Sequence, residues 1–279
     1  MAQALIKLRC EISARCIISS QISQNKASTE HIMDKPEKRS IRRRGIYLLP
    51  NLLTTGALFS GYYAITSAIG GRYETAVIAI FIAMILDGLD GRVARLTNTQ
   101  SEFGVQYDSL SDMISFGAAP ALVMYLWAFA SFGKVGLFAA FVHMAGGALR
   151  LARFNAQVGT ADKRYFQGLP SPAAAAILAG FIWISVEHGY DIDVVKYPAI
   201  VLTISTGLLM VSNFRYSSFK EIDLRGKVPF FVAISVMLAI AFVMAQPETM
   251  LFLLFLGYAV SGPIVTLVMR KRRLQGRKL

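Results

Sequence analysis

Four aspartates stand at regular spacing in this chain, directly after one of its long hydrophobic runs. The run is AVIAIFIAMIL, and the segment that follows reads Asp87-Gly-Leu-Asp90-Gly91-Arg-Val-Ala94-Arg95, then, after eight residues, Gly104-Val-Gln-Tyr-Asp108-Ser-Leu-Ser-Asp112. Carboxylates are costly to bury in lipid, so acids beside such a run face a polar cavity, pair with cations or bind a metal. The spacing therefore indicates a functional site.

Helical geometry places these acids on two faces. The first face holds two acids and two very small residues at i, i+3, i+4 and i+7, namely Asp87, Asp90, Gly91 and Ala94. The second face holds one small residue and two acids at i, i+4 and i+8, namely Gly104, Asp108 and Asp112. Small residues let a ligand lie close against a helix backbone. Two such helices facing each other would form a cage of four carboxylates.

A divalent metal is the expected occupant of that cage. Four clustered negative charges repel one another strongly at low dielectric, and divalent cations neutralise them. Oxygen ligands suit Mg²⁺ or Mn²⁺, and the absence of nearby His or Cys argues against zinc. Hard metals held by carboxylates are typical of phosphate and pyrophosphate chemistry. The alternative is a structural role in which Arg92 and Arg95 neutralise the acids.

Composition predicts the elements that carry these residues. The chain has 279 residues, of which 54% are hydrophobic and 16% charged, whereas about a quarter of residues are charged in soluble proteins. A helix needs about 20 apolar residues to cross a bilayer. We therefore predict an all-α, polytopic membrane protein with about eight transmembrane helices, at 48–70, 74–96, 105–131, 134–157, 170–188, 194–212, 227–245 and 248–270.

Basic residues set the expected orientation. The 29 Lys and Arg residues outnumber 17 acids and cluster in alternate connections. The positive-inside rule then places both termini, and the acidic site, on the cytoplasmic side. This clustering favours a topology signal over nucleic-acid binding. We expect a polar, basic and poorly ordered extension over 1–45, a transmembrane domain over 46–270 and a basic cytoplasmic tail over 271–279.

The segment 87–112 resembles in full the signature of the CDP-alcohol phosphotransferase family, integral membrane enzymes of phospholipid synthesis. The matching pattern is Asp-x2-Asp-Gly-x2-Ala-Arg-x8-Gly-x3-Asp-x3-Asp. The resemblance implies two divalent ions, Mg²⁺ or Mn²⁺, bound by Asp87, Asp90 and Asp108. It implies that Asp112 contributes to the metal site and acts as the general base. It further implies room for a cytidine nucleotide at Gly91, Ala94 and Gly104, with Arg95 near its phosphates.

Other segments resemble family members that use CDP-diacylglycerol as donor and L-serine as acceptor. These segments are RRRGIYLLPNLLTTG, DSLSDMISFGAAPA, LRLARFN and FQGLPSPAAA. The resemblance implies transfer of the phosphatidyl group to serine with release of CMP. It also implies a homodimer surrounded by membrane lipids in a bacterial inner (cytoplasmic) membrane, with the active site facing the cytoplasm.

Five residues outside the acidic segment are candidates for binding substrate. Serine carries a carboxylate that Arg can clamp, so Arg150 or Arg153 is expected to bind it or the lipid phosphate, with Asn155 assisting. The alternative for both arginines is that they extend to the membrane interface. Asn51 and Thr54 match the Pro-Asn start of the family's first helix and are expected at the nucleotide, with helix capping as the alternative.

Three alternative functions remain open at this point. The same scaffold could transfer to glycerol 3-phosphate, an inositol phosphate or choline, because the acidic motif does not select the acceptor. An intramembrane prenyltransferase also binds Mg²⁺ through Asp-x-x-Asp pairs, but it would not need small residues at Gly91, Ala94 and Gly104. A cation transporter would place carboxylates at mid-membrane on several helices.

Overall fold

The structure is a computed structural model of the chain, and it describes residues 41–156, 165–217, 237 and 245–275. The chain divides into two compact units, Met1–Gly45 and Ile46–Leu279. Of the first unit, only residues 41–45 belong to the described part, where they are helical. The expected extension therefore lies largely outside the described residues.

Seven long helices account for most of the described residues. They are α1 (Ile41–Ile69), α2 (Tyr73–Leu96), α3 (Glu102–Phe132), α4 (Lys134–Ala156), α5 (Ser171–Glu187), α6 (Ile192–Val211) and α7 (Pro247–Gln275). Each overlaps one of the eight ranges predicted from the sequence. The remaining range, 227–245, lies outside the described residues except for positions 237 and 245.

Length and apolar composition make four of the described helices long enough to cross a membrane. The four candidate spans are Glu102–Phe132, Lys134–Ala156, Ile192–Val211 and Pro247–Val268, and α5 is a shorter apolar helix. The chain is therefore a mostly helical protein whose apolar helices are those of a membrane protein.

Helix α3 is not a regular α-helix along its length. It starts as an α-helix over Glu102–Asp112, widens to a π-helix over Met113–Ala118, and widens again over Tyr125–Phe129. The first π-helical segment begins directly after the last acid of the motif. Such segments are frequent at functional sites.

Small residues allow α4 and α6 to pack closely. A Cβ atom on Gly146 would overlap the Gly207 carbonyl, and one on Gly207 would lie 2.7 Å from the Val142 carbonyl oxygen. Glycines at such positions let helix backbones approach in a membrane protein. Beside them, the fully buried His143 contacts Thr206 Oγ1 at 2.9 Å and the Phe116 carbonyl at 3.3 Å. His143 thus links α4 to α6 and to the first π-helical segment of α3.

A short antiparallel pairing joins β1 (Tyr165–Gln167) and β2 (Arg215–Ser217), with Phe166 opposite Tyr216. The all-α prediction did not include it. Tyr216 is fully buried and donates its hydroxyl to the Ala259 carbonyl of α7 at 3.0 Å. Burial raises the pKa of Tyr216 to about 12, so this hydroxyl stays protonated. The pairing therefore attaches the segment before α5 to both α6 and α7.

Candidate active site

The four aspartates of the motif come together where α2 and α3 face each other. Carboxylate oxygens of Asp87, Asp90 and Asp108 all lie within 4.8 Å of one another. The carboxyl group of Asp112 lies close to that of Asp87, and the two interact electrostatically. Three of the four carboxylates of the predicted cage thus converge, and Asp112 lies next to one of them.

The local environment of these acids fits a divalent cation. Asp90 is only 5% exposed, and Asp108 Oδ1 is buried without a hydrogen-bond partner among the described residues. A buried carboxylate oxygen without a partner is unfavourable unless a cation or a ligand contacts it. The donor set consists of oxygens alone, which suits Mg²⁺ or Mn²⁺. Asp87, Asp90 and Asp108 would hold such an ion.

The arginines at the end of α2 do not neutralise the acids. Arg92 and Arg95 are both exposed, and within the described part of the chain neither forms an ion pair with a carboxylate. This observation argues against the structural alternative, in which those arginines offset the clustered charge. It leaves Arg95 exposed at the end of α2.

Helix α1 supplies a hydroxyl to the acidic cluster. The buried Thr54 donates from Oγ1 to Asp90 Oδ2 at 2.6 Å, and the same oxygen lies 3.1 Å from the Pro50 carbonyl. A hydroxyl has one proton, and the charged acceptor at the shorter distance takes it. Ser111 of α3 donates in turn to the Thr54 carbonyl at 3.2 Å. Thr54 therefore links all three helices that form the cage.

The small residues of the motif differ in the space around them. A Cβ atom on Gly91 would meet no described atom within 4 Å, whereas one on Gly104 would lie 3.1 Å from Ser101 Oγ and 3.5 Å from Asn51 Oδ1. Gly91 thus borders open space beside the acids, where a ligand could lie close to the backbone. Asn51 lies near Gly104 across the α1–α3 contact, and Ala94 is partly buried.

The two arginines of α4 lie in different surroundings. Arg150 interacts electrostatically with Asp112 and Asp87, and it donates from Nη1 to Ser171 Oγ at 2.9 Å. Arg153 donates to the Val211 carbonyl at 2.7 Å and to Asn213 Oδ1 at 3.2 Å, at the end of α6. Arg150 is therefore the arginine beside the acids, and Arg153 caps a helix.

Asn155 contacts α3 rather than the acidic cage itself. Its Nδ2 donates to Ser109 Oγ at 3.1 Å, and Ser109 Oγ lies 3.3 Å from its Oδ1. Ser109 directly follows Asp108 along α3. Asn155 thus holds the helix that carries two of the acids.

Several residues that contact the site were not predicted from the sequence. Ser109 and Ser111 lie between acids of the motif, and their position in it was a usable signal. Ser171 lies in the segment FQGLPSPAAA, but nothing in that segment points to a partner on α4. Tyr258 of α7 interacts electrostatically with Arg150, and no pattern in its own helix indicates this.

Comparison with known proteins gives the class to which this chain belongs. Residues 47–215 match the family model described as CDP-alcohol phosphatidyltransferase. The chain therefore belongs to the CDP-alcohol phosphatidyltransferase family, and the resemblance of its acidic motif to that family is confirmed.

Individual relatives cover most of the chain. It is 37% identical over 216 residues to the CDP-diacylglycerol–serine O-phosphatidyltransferase of Helicobacter pylori, a match that covers 77% of this chain and 90% of that protein. It is 32% identical over 233 residues to the Mycobacterium leprae protein of the same name, covering 81% of this chain and 76% of that protein. The archaetidylserine synthase of Methanothermobacter thermautotrophicus is 36% identical over 170 residues, covering 60% of this chain and 69% of that protein.

Proposed function

We propose that this protein transfers the phosphatidyl group of CDP-diacylglycerol to L-serine, giving phosphatidylserine and CMP. One observation carries the proposal: three carboxylates converge beside the open space at Gly91, in a chain whose relatives of 36–37% identity are named CDP-diacylglycerol–serine O-phosphatidyltransferase. Family membership also removes the prenyltransferase and the cation transporter from consideration.

The acidic cage would bind the cation and leave one acid for proton transfer. Asp87, Asp90 and Asp108 would hold Mg²⁺ or Mn²⁺, as two ions, and Thr54 orients Asp90 through its 2.6 Å hydrogen bond. The bound metal supplies positive charge beside the phosphates of the donor. Gly91, Ala94 and Gly104, together with Asn51 and Arg95, border the position proposed for the cytidine nucleotide.

Asp112 is the proposed general base. A serine hydroxyl is a poor nucleophile until a positioned base accepts its proton. Asp112 takes that proton, the serine oxygen forms a bond to the phosphorus next to diacylglycerol, and the bond from that phosphorus to the CMP oxygen breaks. CMP leaves with the electron pair. Positioning of both reactants provides most of the remaining acceleration.

Arg150 is the proposed acceptor anchor. It lies beside Asp112, and its Nε is buried without a hydrogen-bond partner among the described residues. A carboxylate bound there would hold the serine hydroxyl close to the base. Arg153 is less suited to this role, because its donors already contact the end of α6. Asn155 would act indirectly, through Ser109.

The membrane arrangement completes the proposal. Eight transmembrane helices, with both termini and the active site on the cytoplasmic side of a bacterial inner membrane, are supported by the basic residues in alternate connections. In this arrangement residues 46–270 form the phosphatidyltransferase domain, between the extension 1–45 and the tail 271–279. The protein works as a homodimer among membrane lipids.

A panel of acceptors tests the function directly. Purified protein receives CDP-diacylglycerol, Mg²⁺ or Mn²⁺, and labelled serine, glycerol 3-phosphate, inositol phosphate or choline. We expect CMP release and labelled phosphatidylserine with serine alone. Turnover with another alcohol and none with serine would overturn the acceptor assignment, and no CMP release with any alcohol would overturn the reaction.

A single substitution tests the proposed base. Asp112→Asn keeps the size of the side chain and removes its ability to accept a proton from serine. Loss of a general base costs roughly 10²- to 10⁴-fold in rate, so we expect kcat to fall within that range. CMP release at the wild-type rate would show that another group accepts the proton.

A further inference from the structure

We propose that Ser171 is a positioning residue for acceptor specificity, whose hydroxyl holds Arg150 so that one edge of the guanidinium stays free for the carboxylate of serine. The inference rests on the proposed function, because it concerns the acceptor site of that reaction. It adds a residue from α5 that the acidic motif does not contain.

The contact between the two side chains is specific. Arg150 donates from Nη1 to Ser171 Oγ at 2.9 Å, and Ser171 is fully buried. A guanidinium has five N–H donors in a fixed plane. Within the described part of the chain, Ser171 is the only hydrogen-bond partner of this guanidinium, and the buried Nε has none.

The edge of the guanidinium that Ser171 leaves free can bind a carboxylate through two hydrogen bonds. Nη1 lies on the same side as the aliphatic part of the side chain, so Nε and Nη2 together form the other edge. That edge makes two parallel hydrogen bonds to a carboxylate. Ser171 therefore uses the donor that carboxylate binding does not need and leaves the bidentate edge available.

Ser171 also counters the attraction of the neighbouring acids. Arg150 interacts electrostatically with Asp112 and Asp87. Without a second contact, the guanidinium could turn toward these carboxylates and pair with them, because an opposite charge in a site of low dielectric attracts strongly. The hydroxyl of Ser171 holds Nη1 on the side of α5. This contact keeps Arg150 available for the acceptor.

The backbone around Ser171 is fixed independently of Arg150. Gly168 has a φ of +79° and donates to the Phe214 carbonyl at 2.9 Å, and Leu169 donates to the Leu209 carbonyl at 3.0 Å. A Cβ atom on Gly168 would overlap the Met210 carbonyl. The segment before α5 therefore rests on the end of α6, and the Ser171 hydroxyl has a defined position relative to α4.

Kinetics of Ser171→Ala, with Ser171→Thr and Ser185→Ala for comparison, test the inference. Ser185 is a second buried serine of α5, and its hydroxyl donates within the helix, to the Phe181 carbonyl. For each protein we would measure kcat, the KM for serine and the KM for CDP-diacylglycerol. We would also measure inhibition by L-alanine, which keeps the carboxylate of serine and lacks its hydroxyl.

We expect Ser171→Ala to raise the KM for serine and the inhibition constant of L-alanine together, by roughly 10-fold, since a hydrogen bond to a charged group contributes about 1.5 kcal/mol or more. The KM for CDP-diacylglycerol should stay unchanged. Ser171→Thr restores the hydroxyl and should restore both constants. Ser185→Ala should match the wild type.

Two results would overturn the inference. One is an unchanged KM for serine in Ser171→Ala; the other is an equal rise in both KM values that Ser171→Thr does not reverse, which indicates a general structural defect. Failure of the proposed function is a separate result, because wild-type protein would then make no phosphatidylserine from serine.

Discussion

Thr54 on α1 and Asp90 on α2 are joined by a buried hydrogen bond of 2.6 Å between Oγ1 and Oδ2. Asp90 is one of the three acids whose oxygens converge, and it lies almost completely out of solvent. Groups that form a hydrogen bond to a metal-binding side chain fix its orientation and contribute to metal affinity. Thr54 therefore contacts the acidic cluster through Asp90, and its expected contact with the nucleotide stays a prediction.

Replacing Thr54 by Val should weaken metal binding. Val has nearly the same shape but no hydroxyl, so Asp90 loses its donor and its orientation. We expect the affinity for Mn²⁺ to fall roughly 10- to 100-fold. Titration with Mn²⁺, followed by electron paramagnetic resonance of the free ion, measures this without turnover.

Thr55→Val is the matched control for that measurement. Thr55 is the next residue of α1, and its hydroxyl contacts the Asn51 carbonyl at 2.7 Å and the Tyr107 hydroxyl at 2.9 Å instead of an acid. Its Mn²⁺ affinity should equal that of the wild type. Equal losses in both variants would mean that α1 is merely loosened, and no loss in either would remove Thr54 from the metal site.

Asp108→Asn should separate two effects of the clustered charge: the destabilisation of the metal-free protein and the contribution to metal binding. Without metal, the wild-type carboxylates repel one another, so we expect the variant to unfold at a higher temperature than the wild type in EDTA. With Mn²⁺, the order should reverse, because a ligand that binds only the folded protein stabilises it. Thermal unfolding in detergent, with and without Mn²⁺, measures both effects. A wild type that Mn²⁺ does not stabilise would contradict the proposed metal site.

The acidic cage could be predicted from the sequence because the two acids of each pair lie close together in the chain. Asp87 and Asp90 are three residues apart, Asp108 and Asp112 four, and helical periodicity alone puts each pair on one face. Helix positions were predictable for a similar reason, since each apolar run is continuous in the chain. Neither inference needs knowledge of how distant helices pack.

Contacts between distant segments could not be predicted in this way. Arg150 and Arg153 share a helix face and the same residue type, so spacing could not decide which one lies beside the acids. Their partners come from α5 and from the end of α6, 21 and about 60 residues away. The short β pairing and the π-helical segments of α3 likewise depend on tertiary packing.

Lys substitutions should now distinguish the two arginines. Arg150→Lys keeps the charge but loses the planar, bidentate edge, so we expect the KM for serine to rise at least 10-fold while the protein unfolds at nearly the wild-type temperature. Arg153→Lys should leave the KM for serine unchanged and lower the unfolding temperature, because the end of α6 loses hydrogen bonds. Enzyme assays and thermal unfolding of both variants provide the comparison. The opposite pattern would assign the acceptor to Arg153.

The close packing of α4 against α6 predicts that Gly207→Ala is destabilising. The added Cβ would lie 2.7 Å from the Val142 carbonyl oxygen and 3.0 Å from His143 Cα. Both are positions on the α4 backbone, so the helices must separate. Overpacking of this kind costs about 1–3 kcal/mol.

Gly257→Ala is the matched control, because a Cβ there would meet no described atom within 4 Å, and Ala favours a helix by up to about 1 kcal/mol over Gly. Thermal unfolding should therefore show a lower midpoint for Gly207→Ala and an equal or higher one for Gly257→Ala. Because α4 also carries Arg150, the separation should raise the KM for serine in Gly207→Ala as well; an unchanged midpoint and KM would mean that α4 and α6 do not pack through this glycine.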